Sequence, residues 1–223
     1  ADGYARRTRK PGVVVVTGGP GLGNTVTGLQ TAYADSSPLV VIASDLEPAQ
    51  RSEQPLGLPH EAVDQAGLAA ATGAIVARAD DSGSIRTSVC GTIAQSLSGR
   101  HRPGVVLISR SAMEAPVSDE SDVTELPEAT PSTATDKELL EAVDLLRTAV
   151  DPLVFVGAGV AGACAEDELE SFLALSGFPY VTTVPGSSSV NRSGNWLGVL
   201  DNPTSRKRLS SADVVLALGT SFG

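Results

Sequence analysis

The chain has 223 residues, 41% hydrophobic and 4% aromatic, with a formal net charge of −10. That length and apolar fraction allow one large or two modest domains, with cores of Val, Leu, Ile and Ala. The acidic balance excludes a nucleic-acid surface, which needs concentrated Lys and Arg. No run reaches the ~20 apolar residues that span a membrane, and no signal peptide is visible.

Taken in order, Ala1 to Arg9 reads as the end of a helix stopped by Pro11-Gly12. Val13 to Val16 is a β-branched run, the pattern of a strand buried on both faces of a parallel sheet. Thr17-Gly18-Gly19-Pro20-Gly21-Leu22-Gly23-Asn24 follows, with Asn24 where a helix from Thr25 to Ala34 wants its cap. Leu39 to Ala43 is the next buried strand, and the βαβ unit so formed is right-handed. Ser44 to Pro59 reads as a loop, and a helical stretch opens at His60 and reaches Ala71. Ile75 to Ala79 is a short strand. Ser84 to Ser98 is a helix whose Ile85, Val89, Ile93 and Leu97 form one apolar stripe. Val105 to Ser109 is another buried strand.

Arg110 to Thr135 then changes composition. Between Ser111 and Asp136 stand Glu114, Asp119, Glu120, Asp122, Glu125, Glu128 and Asp136, with no Lys or Arg. Such a stretch buries too little apolar surface to offset chain entropy and reads as an interdomain linker. The expected organisation is a first α/β unit over residues 1–110, a linker over 111–135 and a second unit over 136–223. In the second unit Leu139, Leu140, Val143, Leu146 and Val150 mark a helix face. Leu153 to Val156, Pro179 to Thr183 and Val214 to Leu218 read as strands, with a helix from the Gly162 region through Ser176, a polar loop from Pro185 to Asn195 and a short helix from Thr204 to Ser211.

Four glycines and a proline in the eight residues after the first strand force a sharp turn and leave room for close approach. Glycine content alone does not separate a ligand-binding junction from a tight βα turn. The wider run does more: Ala1-Asp2-Gly3-Tyr4-Ala5-Arg6, Lys10-Pro11-Gly12-Val13, Gly19-Pro20-Gly21 with Asn24, and Ala32-Tyr33-Ala34-Asp35-Ser36 with Pro38-Leu39-Val40. Together these resemble the pyrimidine-binding domain of thiamine-diphosphate enzymes of the acetolactate synthase type. The resemblance implies that Gly19, Pro20, Gly21 and Asn24 hold the cofactor's aminopyrimidine ring. It continues through Leu153 to Phe222, which is similar to the Rossmann-like central domain of the same family.

The second glycine motif, Gly157-Ala158-Gly159-Val160-Ala161-Gly162, is a full G-x-G-x-x-G between strand and helix. A dinucleotide site would place an acid at the end of the next strand, but that strand ends in Thr182-Thr183-Val184. The resemblance offers FAD instead, which acetolactate synthases hold in this domain and many relatives do not. Gly157, Gly159, Thr182 and Thr183 are then the candidate FAD contacts. The lysine-glycine that often follows the threonines is replaced by Pro185-Gly186-Ser187.

His60-Glu61 opens a helix-like segment; adjacent helix residues do not face each other, so the two form no simple dyad. Within the family this segment is a loop over the active site, and His60-Glu61-x-x-Asp64-Gln65 resembles the 2-oxo-acid decarboxylase branch. His60 is thus a candidate active-site residue, with a capping or surface histidine as the alternative. Asp80-Asp81 and Glu166-Asp167-Glu168 follow turn and helix-start logic, His101 reads as exposed, and no metal ligands are assigned. Cys90 and Cys164 lack metal-ligand spacing and read as small buried hydrophobes of a reducing compartment.

What the resemblance implies for function is a thiamine-diphosphate- and Mg²⁺-dependent enzyme acting on a small 2-oxo acid. The chemistry is decarboxylation with or without carboligation, in a cytoplasmic homodimer or homotetramer. The family's catalytic glutamate is expected upstream of Ala1 and its magnesium-binding domain after Gly223. The chain then reads as a fragment, inactive by itself. The alternatives are a nucleotide- or FAD-binding α/β module and a non-catalytic relative.

Overall fold

The computed structural model describes residues 1–52, 57, 60–116, 133–192 and 194–222. It divides into two compact units, Ala1–Ser132 and Thr133–Gly223. Each is a four-stranded, all-parallel sheet with helices on both faces, the α/β class that the strand and helix periods predict.

The first unit runs α1 (Asp2–Thr8), β1 (Gly12–Val16), α2 (Pro20–Gly23), α3 (Val26–Ala34), β2 (Leu39–Asp45), α4 (Gln65–Ala70), β3 (Ile75–Ala79), α5 (Ser82–Leu97), β4 (Gly104–Ser109) and α6 (Arg110–Glu114). Its strand order is β1-β2-β4-β3. Parallel neighbours need crossovers, and the crossover helices cover both faces. Because side chains alternate along a strand, Val41, Ala43, Val105 and Leu107 meet Leu22, Leu29, Ala32 and Ala69 on one face. Val40, Val106 and Ile108 meet Ala112 and the Ile85, Val89, Ile93 stripe on the other.

Three expectations change here. Strand β1 is not buried on both faces: Val13 and Val15 are 49% and 73% exposed, because β1 ends the sheet and α5 covers β2, β3 and β4. Arg110–Glu114, which composition assigns to the start of the linker, is a helix with Ala112 buried against the sheet. The acids Asp119, Glu120, Asp122, Glu125 and Glu128 lie outside the described residues.

His101 is half-buried instead of exposed, and burial pushes its imidazole below the ordinary value of 6.5. A neutral histidine is therefore favoured in the folded state. The unfolded chain binds the proton first as pH falls, so the stability tied to this group is complete above about pH 6.5 and is lost as pH drops through the lower folded value. Denaturant titrations between pH 7.5 and 5 are expected to show this loss, and His101→Gln to flatten it. An unchanged slope in the variant would assign the loss to other groups.

The second unit runs α7 (Asp136–Thr148), β5 (Pro152–Val156), α8 (Gly159–Gly162), α9 (Glu166–Ser176), β6 (Tyr180–Thr182), β7 (Trp196–Val199), α10 (Pro203–Ser211) and β8 (Val214–Leu218), in strand order β7-β6-β5-β8. Helix α7 starts on a capping box: Thr135 Oγ1 accepts the Glu138 amide and the Glu138 carboxylate accepts the Thr135 amide. Its Leu139, Leu140 and Val143 are nevertheless exposed. Val154, Val156, Leu216 and Leu218 pack under Val160, Leu169, Phe172 and Leu173. Leu153, Phe155 and Val181 pack against Leu209 and Ala212 at the other face. The helix expected through Ser176 is broken in two at Cys164, which is left-handed at φ 55 and exposed. Strand β7 falls just after the expected polar loop; within that loop Pro185–Ser188 forms a 3-10 turn.

Candidate functional site

In open parallel sheets ligands bind outside the carboxyl ends of the strands, and both glycine motifs sit there. In the first unit the turn between β1 and α2 is shaped by its own chain. Gly18 donates its amide to Ser44 Oγ at 2.7 Å, and Gly19 donates to Gln65 Oε1 at 2.7 Å. Gly19 adopts φ 60, ψ −117, a region closed to residues with a Cβ. A Cβ there would stand 2.6 Å from the carbonyl oxygen of His60. A Cβ on Gly18 would stand 2.4 Å from the Ser44 carbonyl oxygen. Gly18 and Gly19 therefore keep their side-chain space for close packing on β2 and on the segment around His60.

With two amides directed inward, this turn lacks the outward N–H groups of an anion cradle. What it presents outward is Pro20, which is exposed, followed by the half-buried Gly21. Asn24 is exposed too, and caps nothing: α3 starts at Val26 after Thr25, and neither residue makes a side-chain cap bond. Among the described residues the Asn24 carboxamide makes no hydrogen bond. An apolar corner flanked by a free carboxamide suits the face of a flat, polar-edged heterocycle. The Thr17 hydroxyl takes the space beside Gly21, 2.5 Å from where a Cβ would stand, and Pro20 remains exposed, so the proline is the part of the corner that fits the aminopyrimidine that the resemblance implies.

His60 is exposed, has φ 67 and lies in a turn ahead of α4, not in a helix. The cap of α4 is Asp64, whose carboxylate accepts the Gly67 amide at 2.8 Å. The structure thus brings His60 against Gly19 through backbone packing.

Behind the turn is a polar network that reading the sequence missed. Gln65 donates through Nε2 to Asp45 Oδ1 at 2.9 Å and to the Ser44 carbonyl at 3.2 Å. Asp45 is buried at the end of β2, and its Oδ2 lies 3.1 Å from Nε of both Arg51 and Arg78. Arg51 also clasps Asp80 through two nitrogens, holding that carboxyl below its ordinary range by hydrogen bonding. Glu47 accepts the Ser111 amide at 2.8 Å and its hydroxyl at 2.6 Å, which likewise hold it below the usual carboxylate range. One signal was available: Ser44-Asp45 closes an apolar strand run, and Arg78 interrupts another. Polar residues at such positions need buried partners.

In the second unit the candidate flavin loop is closed on itself. Gly157 donates its amide to Leu218 and Gly159 to Gly219, both at 2.8 Å. A Cβ on Gly157 would meet the Gly219 carbonyl oxygen at 2.3 Å, and one on Gly159 the Gly219 Cα at 2.7 Å. Helix α8 is a single turn, and α9 opens on Glu166, Asp167 and Glu168, acids that oppose a phosphate at that helix end. Thr182 is fully buried with its hydroxyl unpartnered, and the Thr183 hydroxyl accepts the Gly186 amide at 2.9 Å. The cradle a pyrophosphate needs is filled by the chain, so these residues do not fit the dinucleotide part of FAD. Among the described residues no group of three or more His, Cys, Asp or Glu could hold a metal ion, and no helix is long and apolar enough to cross a membrane.

Two α/β units, each on an all-parallel sheet and each with a glycine turn at the carboxyl end of its strands, where such folds take ligands, define an α/β protein of the ligand-binding type of architecture. Comparison with known families makes this specific. The N-terminal thiamine pyrophosphate-binding domain of thiamine pyrophosphate enzymes matches residues 1–68, and the central domain of the same enzymes matches residues 139–223. The chain belongs to the thiamine pyrophosphate enzyme family. It is 29% identical to the acetolactate synthase large subunit of Parasynechococcus marenigrum, over all of this chain and 37% of that protein. It is 31% identical to the probable 2-ketoarginine decarboxylase of Pseudomonas aeruginosa, over 99% of this chain and 39% of that protein. The acetolactate synthase large subunit of Lactococcus lactis is 27% identical, over all of this chain and 39% of that protein. The chain thus spans well under half the length of these relatives.

Proposed function

We propose that this chain supplies the pyrimidine-binding and central parts of a thiamine-diphosphate-dependent enzyme that decarboxylates a small 2-oxo acid, with or without joining the product to a second carbonyl compound. The observation that carries the reading is the Pro20 corner: exposed, apolar, backed by inward amides and flanked by the free Asn24 carboxamide. The relatives' names, a synthase and a decarboxylase, support a 2-oxo acid as substrate. Thiamine diphosphate, when bound, supplies the electron sink for loss of CO₂. The residues of this chain have the simpler task of seating the ring: Gly18 and Gly19 bring the turn close to β2, Pro20 and Gly21 offer a flat surface, and Asn24 offers a donor and an acceptor at its edge. His60, whose backbone packs on Gly19, is the candidate active-site side chain next to the turn.

In this reading Mg²⁺ and the diphosphate are held by residues other than those described, and the working enzyme is a homodimer or homotetramer. Both cysteines are free, which accords with a reducing cytoplasm. The closed Gly157–Gly162 loop argues against FAD, so the flavin-binding alternative is not favoured. The test is direct. The protein encoded by the complete reading frame, assayed with a panel of 2-oxo acids, is expected to release CO₂ when thiamine diphosphate and Mg²⁺ are both supplied and not when either is withheld. No heat of binding with thiamine diphosphate and no CO₂ from any 2-oxo acid would end the proposal.

A further inference from the structure

We propose that Gln65, oriented by Asp45, is the positioning residue that sets the Gly18–Pro20 turn against the cofactor's ring. The inference rests on the proposed function for its cofactor, but its core is a statement about this chain. Both side chains belong to well-buried residues, 3% and 8% exposed. A primary carboxamide has one acceptor end and one donor end. Gly19 presents a donor, so it needs Oε1; Asp45 and the Ser44 carbonyl present acceptors, so they need Nε2. All three demands agree on one orientation. Turned over, the carboxamide would set N–H against N–H and oxygen against two oxygens at a buried site.

Asp45 is what makes this one-sided. The guanidinium groups of Arg51 and Arg78 are donors set against its Oδ2, and its Oδ1 accepts from Gln65. Arg51 belongs to the segment that follows β2, and Gln65 begins the helix that ends the excursion. One carboxylate therefore ties both ends of the segment carrying His60 and fixes the partner of the Gly19 amide. Neither residue touches the ring site, so their effect passes through the turn.

Swapping polarity tests this without changing shape. Gln65→Glu puts an acceptor where Asp45 needs a donor. Asp45→Asn in that background restores a donor facing the new carboxylate. Amide hydrogen exchange of the peptide spanning residues 17–24, measured without cofactor, is expected to quicken about 10- to 100-fold in Gln65→Glu, the range for one buried polar mismatch. In Gln65→Glu/Asp45→Asn it is expected to recover part of that loss and to be at least about 3-fold slower than in the single variant, because the Ser44 carbonyl still faces a carboxylate oxygen. Exchange over residues 82–97, the helix α5, should stay unchanged in both, which a general loosening of the unit would not allow. In the complete reading-frame protein the thiamine diphosphate Kd is expected to follow the same pattern, weaker in the single variant and partly recovered in the double.

Parent-like exchange in Gln65→Glu, or a double variant no slower than the single, would overturn the proposal. So would an exchange pattern as expected beside an unmoved cofactor Kd. A parent protein that binds no thiamine diphosphate would count against the proposed function, and the exchange result would still decide the part played by Gln65 and Asp45.

Discussion

Gly19→Ala is expected to abolish thiamine diphosphate binding and to destabilise the first unit by about 4 kcal/mol. Two independent effects combine. The backbone at φ 60, ψ −117 lies where residues with a Cβ carry about 1–3 kcal/mol of strain. The new methyl would also stand 2.6–2.8 Å from the Cα, carbonyl carbon and carbonyl oxygen of His60. Backbone cannot swing aside as a side-chain tip can, and overpacking of this kind costs about 1–3 kcal/mol more. Relief by moving the segment breaks the Gly19–Gln65 hydrogen bond and lifts Pro20 from its position. For a unit of this size the unfolding midpoint should fall roughly 10–15 °C. Gly23→Ala is the control: its methyl would enter open space, so stability should be unchanged or slightly higher. Calorimetric unfolding and cofactor titration of the pair check both claims. Equal behaviour of the two variants would mean that the His60 segment does not rest on Gly19.

Much of this frame is legible in the sequence, and the misses have physical reasons. Val105 to Ser109 reads as a buried strand and is one, because β4 lies between β2 and β3 and is covered on both faces. Val13 to Val16 has the same composition but a different place, at the end of the sheet, and no local pattern reports what lies beside a strand. The Ile85, Val89, Ile93 stripe finds its face because helical period and burial agree. Trp196–Val199 escaped notice because it is short and its residues are each only partly covered. At the candidate site, the turn itself was legible from its glycines and proline, whereas the residues that hold it were not. Gln65 and Asp45 are 20 positions apart, and their union depends on β2 ending where α4 begins. Asn24 is the opposite case. Its expected cap role fails because the chain makes the extra turn α2 before α3, and that failure leaves its carboxamide free.

The second glycine motif separates two explanations of the same residues. If Gly157 and Gly159 exist to admit a pyrophosphate, alanine there should weaken a ligand and spare the fold. The structure argues the reverse. Gly157, Gly159 and Gly219 meet backbone to backbone where β5 and β8 end, with Gly219 at φ 61 and a Cβ on it 2.4 Å from the Val160 nitrogen. Gly157→Ala would drive its methyl to 2.3 Å from the Gly219 oxygen and rupture the Gly157–Leu218 and Gly159–Gly219 hydrogen bonds. Each of Gly157→Ala and Gly219→Ala is therefore expected to cost the second unit about 3–5 kcal/mol, a large share of the stability of a small domain. Gly162→Ala, whose methyl meets open space, should be silent. FAD supplies the decisive arm. A ligand at about 100 times its Kd stabilises by about 2.7 kcal/mol and moves the unfolding midpoint visibly. With the loop closed, added FAD should leave the midpoint of the parent protein where it was and rescue neither variant. A purified protein that carries the yellow flavin absorption band, or a midpoint that climbs with FAD, would show that the loop opens for a dinucleotide and that its glycines serve the ligand after all.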